Sequence, residues 1–186
     1  MKLHRSWWHL NAMNGVDDLP EGVREALVQT PYDLDERARR LEAICAEAVQ
    51  AGNDAIAAWA AIERARVAYD AGMYELVTAW CDRTLVLNAP AEVLGAAVVL
   101  RASTPGAPVL DRLAIEHAAE LLTASGMWED AMTAHGHLAH DADVRDDLAA
   151  ARREYARAIG CAASPGISRS RVAAGSGVPP PSGSRA

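Results

Sequence analysis

The chain has 186 residues and a formal net charge of −7, with 51% hydrophobic, 23% charged and only 5% aromatic residues. This composition excludes a collagen, a rod-like coiled coil and a wholly disordered chain, and it disfavours a β-sandwich or barrel, which needs more β-branched and aromatic residues. Every Asp and Glu lies within residues 17–160. Because such an acidic body repels phosphate groups, we expect no nucleic-acid partner.

Helical periodicity, interrupted by Gly, Asn and Pro, predicts a series of eight helices and therefore an all-α fold. The predicted helices span residues 21–29, 35–51, 54–71, 74–87, 91–102, 109–125, 128–139 and 143–159. The fifth is apolar on all sides over residues 94–100, which predicts that it is buried.

The composition changes at both ends of this series and predicts three parts. Residues 1–16 form an irregular N-terminal arm, residues 17–160 a helical repeat domain, and residues 161–186 a disordered tail rich in Ser, Gly and Pro. The N-terminus has no apolar run of signal-peptide length, and no stretch approaches the roughly 20 apolar residues of a membrane span. We therefore expect a cytoplasmic protein without a membrane partner.

Two segments of the predicted domain are similar to each other. GMYELVTA begins at Gly72 and GMWEDAMTA begins at Gly126, and each follows one helix and opens another. Glycine allows a tight turn between two antiparallel helices. The aromatic residues that follow, Tyr74 and Trp128, are predicted to wedge between the paired helices.

These segments resemble the tetratricopeptide repeat family, whose helical hairpins stack into a superhelix. In residues 69–90, Gly72 and Tyr74 match the family's turn glycine and aromatic residue. Val77, Cys81 and Thr84 then match its small, phenylalanine and second small positions.

The second copy matches five positions of the same family pattern. They are the close-contact small residue, the turn glycine, the aromatic residue, the alanine and the phenylalanine, occupied by Ala119, Gly126, Trp128, Ala131 and His135. Gly160 follows Gly126 by 34 residues, the period of the family. Gly72 and Gly126 are 54 residues apart, however, so one extra helix separates the copies.

The resemblance implies antiparallel hairpins stacked as an α-solenoid of about seven to eight helices, with a concave groove. Such a groove binds a partner protein, peptide or helix, without catalytic activity or a cofactor. The alignment assigns four polar residues of the third and sixth helices to the groove: Arg64, Arg66, Glu116 and Glu120. The alternative is that the chain is a sensory or regulatory region of a larger or truncated bacterial signalling protein or transcriptional regulator.

Two further features indicate contact surfaces. Trp7 and Trp8, in the N-terminal arm, are expected either to dock on the first hairpin or to anchor a partner. The last helix ends the stack and leaves an apolar face open to self-association. That face is predicted to consist of Leu148, Ala151, Tyr155 and Ile159.

A metal-dependent enzyme is a third and weaker hypothesis, suggested by His135, His137 and His140 with the nearby Asp141 and Asp143. His135 and His137 would point about 200° apart on a helix, so we expect no metal site. We predict instead that His135 faces the core and that His117 lies in the core or between hairpins. No nucleophile or phosphate-binding motif is present. Cys45 and Cys81 read as buried free thiols.

Overall fold

The structure is a computed structural model that describes residues 19–30, 33–107 and 111–164. Every regular element in these ranges is an α-helix, which confirms the all-α prediction. The eight helices are α1 (Glu21–Gln29), α2 (Leu34–Gln50), α3 (Asp54–Asp70), α4 (Tyr74–Leu85), α5 (Ala91–Ala102), α6 (Arg112–Ala124), α7 (Trp128–Val144) and α8 (Leu148–Ala162).

Four of the turns between helices have one geometry. Each contains a residue in the left-handed region: Gly52 (φ 69°), Gly72 (φ 73°), Gly126 (φ 77°) and Asp146 (φ 61°). The amide after that residue donates to the carbonyl five positions earlier, at 2.8–2.9 Å, as in a Schellman motif. These turns fall in two pairs, each 20 residues apart, and one 17-residue helix, α3 or α7, fills each interval.

The helices form two layers. Consecutive helices pack against each other as antiparallel hairpins, and α1, α3, α5 and α7 also pack against one another in that order. In a curved stack the layer whose members approach most closely lies on the inside. The odd-numbered helices therefore form the inner layer and the even-numbered helices the outer layer of an α-solenoid, as predicted.

The core has two apolar clusters that share α3. One joins α1, α2 and α3 around Leu41 and Cys45, and the other extends from α3 to α8 around Ile62 and Leu122. Ten of the 17 residues of α3 are buried, and most are alanines. Small side chains on both faces allow α3 to be surrounded by neighbours on three sides.

The predicted burial of the fifth helix is confirmed for most of residues 94–100, whereas Leu94 and Val98 are half-buried. Val93 and Val99 are 0% and 1% exposed, and Gly95 lies against α6, where an added Cβ would stand 3.3 Å from Leu122 Cγ. Cys45 and Cys81 are fully buried and free, as predicted.

The last two helices differ from the prediction. α7 continues to Val144, and the turn that follows contains Asp146 rather than a glycine. Aspartate tolerates the left-handed region better than most residues. Asp146 can therefore form the turn that ends α7, at a position where periodicity alone predicts no helix end. α8 then continues through Gly160 to Ala162.

Gly160 lies inside α8, so its 34-residue spacing from Gly126 does not mark another turn glycine. The last helix extends two residues past the predicted boundary at residue 160, and Cys161 is 5% exposed and belongs to the core. Residues 1–18 and 165–186, which include the predicted arm (1–16) and most of the predicted tail (161–186), lie outside the described residues. None of the described helices is long and apolar enough to cross a membrane.

Candidate functional site

Each of the helices α3, α5 and α7 carries a stripe of half-buried residues, and α7, the last inner helix described, is also exposed at His140 and Asp143. The stripe residues are half-buried and repeat at helical spacing. We define the inner face by nine of them: Trp59, Arg66 and Asp70 on α3, Leu94, Val98 and Ala102 on α5, and Glu129, Thr133 and His137 on α7.

Arg66 links the stripes of α3 and α7, which lie on either side of the α5 stripe. Arg66 Nη2 of α3 donates to Asp130 Oδ2 of α7 at 2.7 Å, and Arg66 Nη1 donates to Glu63 Oε1 at 2.5 Å. Glu63 is only 4% exposed and Asp130 is 8% exposed. Since α5 packs between α3 and α7, this pair directly joins the two inner-layer neighbours of α5.

The cluster around Arg66 has more carboxylates than cations. Glu129 adds a third acidic group, and its Oε1 is solvent-excluded with no hydrogen-bond partner among the described residues. Burial, together with the charge of Asp130, raises the pKa of Glu129 to about 7, although Arg66 acts in the opposite direction. Burial likewise raises the pKa of Glu63 against the effect of Arg66.

Arg66 itself stays protonated. Burial alone would lower its pKa, but the carboxylates of Asp130 and Glu63 outweigh this effect, and the net pKa is raised. The cluster thus contains one permanent cation and an acid, Glu129, that titrates near neutral pH.

A second polar contact fixes α5 against α7 further along the face. Ser103 Oγ donates to the Val99 carbonyl at 2.8 Å and lies 2.9 Å from His137 Nε2. Because the hydroxyl proton is directed to Val99, His137 is the donor in the Ser103–His137 bond. This polarity is opposite to that of a serine activated by a histidine base. Burial, with the charge of His140, lowers the pKa of His137 and favours the neutral ring.

Tyr69 links α3 to the C-terminal end of α5. Its hydroxyl donates to the Ser103 carbonyl at 3.4 Å, and its ring meets the edge of Tyr74 at a centroid distance of 5.9 Å. Tyr74 is 39% exposed, so it covers Tyr69 rather than wedging between helices as predicted. Trp128 is half-buried and packs against the larger core cluster.

The other repeat positions face the core. They are 0–7% exposed: Val77, Cys81, Thr84, Ala119, Ala131 and His135. Burial raises the pKa of the Cys81 thiol to about 12. His135 Nδ1 forms a 2.8 Å hydrogen bond with Glu154 Oε2 of α8. His117, by contrast, is exposed, so its predicted core position is wrong.

Only one of the four predicted groove residues lies on the inner face, namely Arg66. Arg64 is 6% exposed and points to the outer layer, where its Nε donates to Glu42 Oε1 at 2.7 Å and its guanidinium lies 5.7 Å from the Trp80 ring centroid. Residues two apart on a helix point about 200° away from each other, so Arg64 and Arg66 cannot share a face.

The two predicted acidic residues belong to a different layer from Arg66. Glu116 and Glu120 lie on α6, an outer-layer helix, where Glu116 pairs with Arg112 at 3.5 Å and Glu120 is exposed. The second glycine hairpin thus places its first helix in the outer layer, whereas the first hairpin places α3 in the inner layer. Trp7 and Trp8 lie outside the described residues.

Sequence reasoning missed Glu63, Asp130 and Ser103, although Glu63 and Arg66 have a helical pair spacing that indicates an ion pair. Within residues 19–30, 33–107 and 111–164, no three His, Cys, Asp or Glu side chains are grouped so that they could hold a metal ion.

Comparison of the chain with protein-family models, with curated proteins and with solved structures found no match. The resemblance to tetratricopeptide repeats therefore stays a prediction, and the inner face has to be interpreted from its own geometry.

Proposed function

We propose that this chain is a non-catalytic protein–protein interaction module that binds a peptide or helix of a partner along the inner face. The observation that carries the proposal is the arrangement of three adjacent stripes. Leu94, Val98 and Ala102 form a half-buried apolar strip on α5, and the stripes of α3 and α7 on either side are mostly polar. Apolar contact with polar borders is typical of surfaces that bind protein segments.

The face is held in shape before any partner arrives. The Arg66–Asp130 ion pair joins α3 to α7, and the Ser103–His137 hydrogen bond joins α5 to α7. A preorganised surface loses less conformational entropy on binding, so more of the contact energy appears as affinity.

The charges of the face favour a cationic partner segment. Glu63, Asp70, Glu129 and Asp130 lie on or directly beneath the face, and two cations act on them: Arg66, and Arg37 of α2, which is close enough to affect Glu63 and Asp70. Opposite charge speeds association and selects among partners. We therefore propose a partner segment that presents Lys or Arg next to apolar residues.

We also propose a cytoplasmic location. Cys45, Cys81 and Cys161 are all free and buried, and free thiols suit a reducing compartment.

Site-specific photo-crosslinking tests the proposal. A benzophenone amino acid is incorporated at Val98 on the inner face and, as the matched control, at Ala79, which is exposed on outer-layer helix α4. We expect a discrete crosslinked partner from position 98 and none from position 79, and an added Lys-rich apolar peptide should reduce the yield. Equal crosslinking at both positions, or crosslinking at 79 alone, would contradict the proposal.

A further inference from the structure

The last helix of the stack turns its large apolar side chains away from the protein. Leu148, Tyr155 and Ile159 are 53%, 46% and 70% exposed, whereas the buried residues of α8 are Ala151 and Cys161. Ala151 therefore does not belong to the exposed face, contrary to the sequence prediction. A helix that buries small residues and exposes large ones has a second surface that is suited to packing.

The exposed residues follow the spacing of a helix–helix seam. Leu148, Arg152, Tyr155 and Ile159 are separated by four, three and four positions, the a/d pattern of two-helix packing. We call these four residues the α8 seam. The accessible positions on either side of it are alanines, namely Ala149 and Ala156 on one side and Ala158 on the other. Such short flanking side chains let a second helix approach closely.

The α8 seam is complementary to itself when two copies run antiparallel. With the two-fold axis between positions 153 and 154, Leu148 meets Ile159 of the second copy, and Arg152 meets Tyr155 of the second copy. The first pair is apolar on both sides, and the second can form a cation–π contact. Each contact occurs twice, as an isologous interface requires.

Charge disfavours two other arrangements of the α8 seam. A parallel pair in register, or an antiparallel pair centred on position 152, places Arg152 opposite Arg152 of the second copy. A single charged residue in such a seam fixes the register because misaligned pairs bring like charges together. The helix that carries the seam is anchored to α7, since Glu154 of α8 accepts a hydrogen bond from His135 of α7 and another from Arg157 of α8 itself.

We propose that two copies of this chain associate through the α8 seam, with the two α8 helices antiparallel and Leu148 of each copy packed against Ile159 of the other. This proposal is independent of the inner-face function, because α8 belongs to the outer layer and none of the inner-face residues takes part.

Sedimentation equilibrium on the complete chain tests the association. We expect the mass of two chains at about 100 μM and a dissociation constant that Ile159→Glu raises at least about tenfold. Val86→Glu is the matched control, because Val86 is 82% exposed but remote from the seam in sequence, and it should leave the dissociation constant unchanged. Circular dichroism checks that each variant is folded.

Cysteine crosslinking tests the register. Leu148→Cys and Ile159→Cys chains are oxidised separately and as a mixture, with the unmodified chain in parallel. The antiparallel seam brings the two positions within disulfide distance and predicts a crosslink in the mixture alone. A crosslink in either single variant would overturn the arrangement.

Two results of the sedimentation experiment would overturn the association itself. One is a monomer at 100 μM. The other is a dimer that Ile159→Glu leaves unaffected, since another surface would then carry the contact.

Discussion

Arg66 and Asp130 are 64 positions apart in the chain and 2.7 Å apart in the structure, joined across α5 by a direct ion pair. The pair links the first long inner helix to the last one. It converts three neighbouring helices into a single surface of fixed width, on which the proposed partner segment would lie.

Removal of this arginine should destabilise the fold. Arg66→Met leaves Glu63, Asp130 and Glu129 without their shared cation, and breaking a buried pair in this way costs about 3 kcal/mol or more. Urea unfolding followed by circular dichroism measures the free energy of unfolding. Arg39→Met is the control, because Arg39 is an exposed residue paired with Glu36 on the same helix, and its loss should cost less than about 0.5 kcal/mol. Equal effects of the two substitutions would show that the Arg66 cluster does not join the helices.

Glu129 should make stability fall as the pH rises through 7. Its pKa in the folded protein, about 7, lies above its ordinary value of about 4.3, so the folded state favours the protonated acid. The resulting stabilisation is complete below about pH 4, where both states are protonated, falls as the pH rises from there, and is fully lost once the pH passes 7. Linkage limits the loss to less than about 4 kcal/mol, and partial solvent access reduces it further.

Glu129→Gln removes this titration. Unfolding free energies measured between pH 5 and 8.5 should fall less steeply for this variant than for the parent chain. Glu47→Gln, on the exposed side of α2, should keep the parent slope. If the unfolding free energies of the parent chain and of Glu129→Gln changed with pH in parallel, Glu129 would not titrate near neutral pH.

Two glycines should respond in opposite directions to alanine. Gly126 has a φ of 77°, so Gly126→Ala places a side chain in the left-handed region and should destabilise the protein by about 1–2 kcal/mol. Gly160 lies inside α8, and an added Cβ meets nothing within 4 Å. Gly160→Ala should therefore stabilise by about 0.5–1 kcal/mol. Thermal unfolding measures both changes. If Gly160→Ala destabilised the protein, the placement of Gly160 inside a helix would be contradicted.

Much of the helical pattern could be predicted because its determinants are local. Gly52, Gly72 and Gly126 end helices in the sequence as they do in the structure, and Pro90 marks the start of α5. The turn at Asp146 escaped prediction, since only the backbone shows that this aspartate adopts the conformation usually left to glycine.

The site was harder to predict than the fold. Arg66 was identified, but its partner Asp130 is on a distant helix, and no local spacing indicates such a contact. Arg64 was assigned to the same face as Arg66 from the repeat alignment, whereas the helical twist directs it to Glu42 and Trp80 in the outer layer. The helix before Gly72 lies in the inner layer, whereas the helix before Gly126 lies in the outer layer. An alignment of the two hairpin sequences therefore pairs residues that face different sides of the protein.

Binding of partners on the inner face is best measured through the affinity of a partner recovered by crosslinking. Fluorescence anisotropy with the purified segment compares the parent chain with Val98→Glu on the inner face and Ala79→Glu on the outer layer. We expect Val98→Glu to raise the dissociation constant at least about tenfold and Ala79→Glu to change it by less than about twofold. Equal losses for the two variants, or a loss for Ala79→Glu alone, would contradict binding on the inner face.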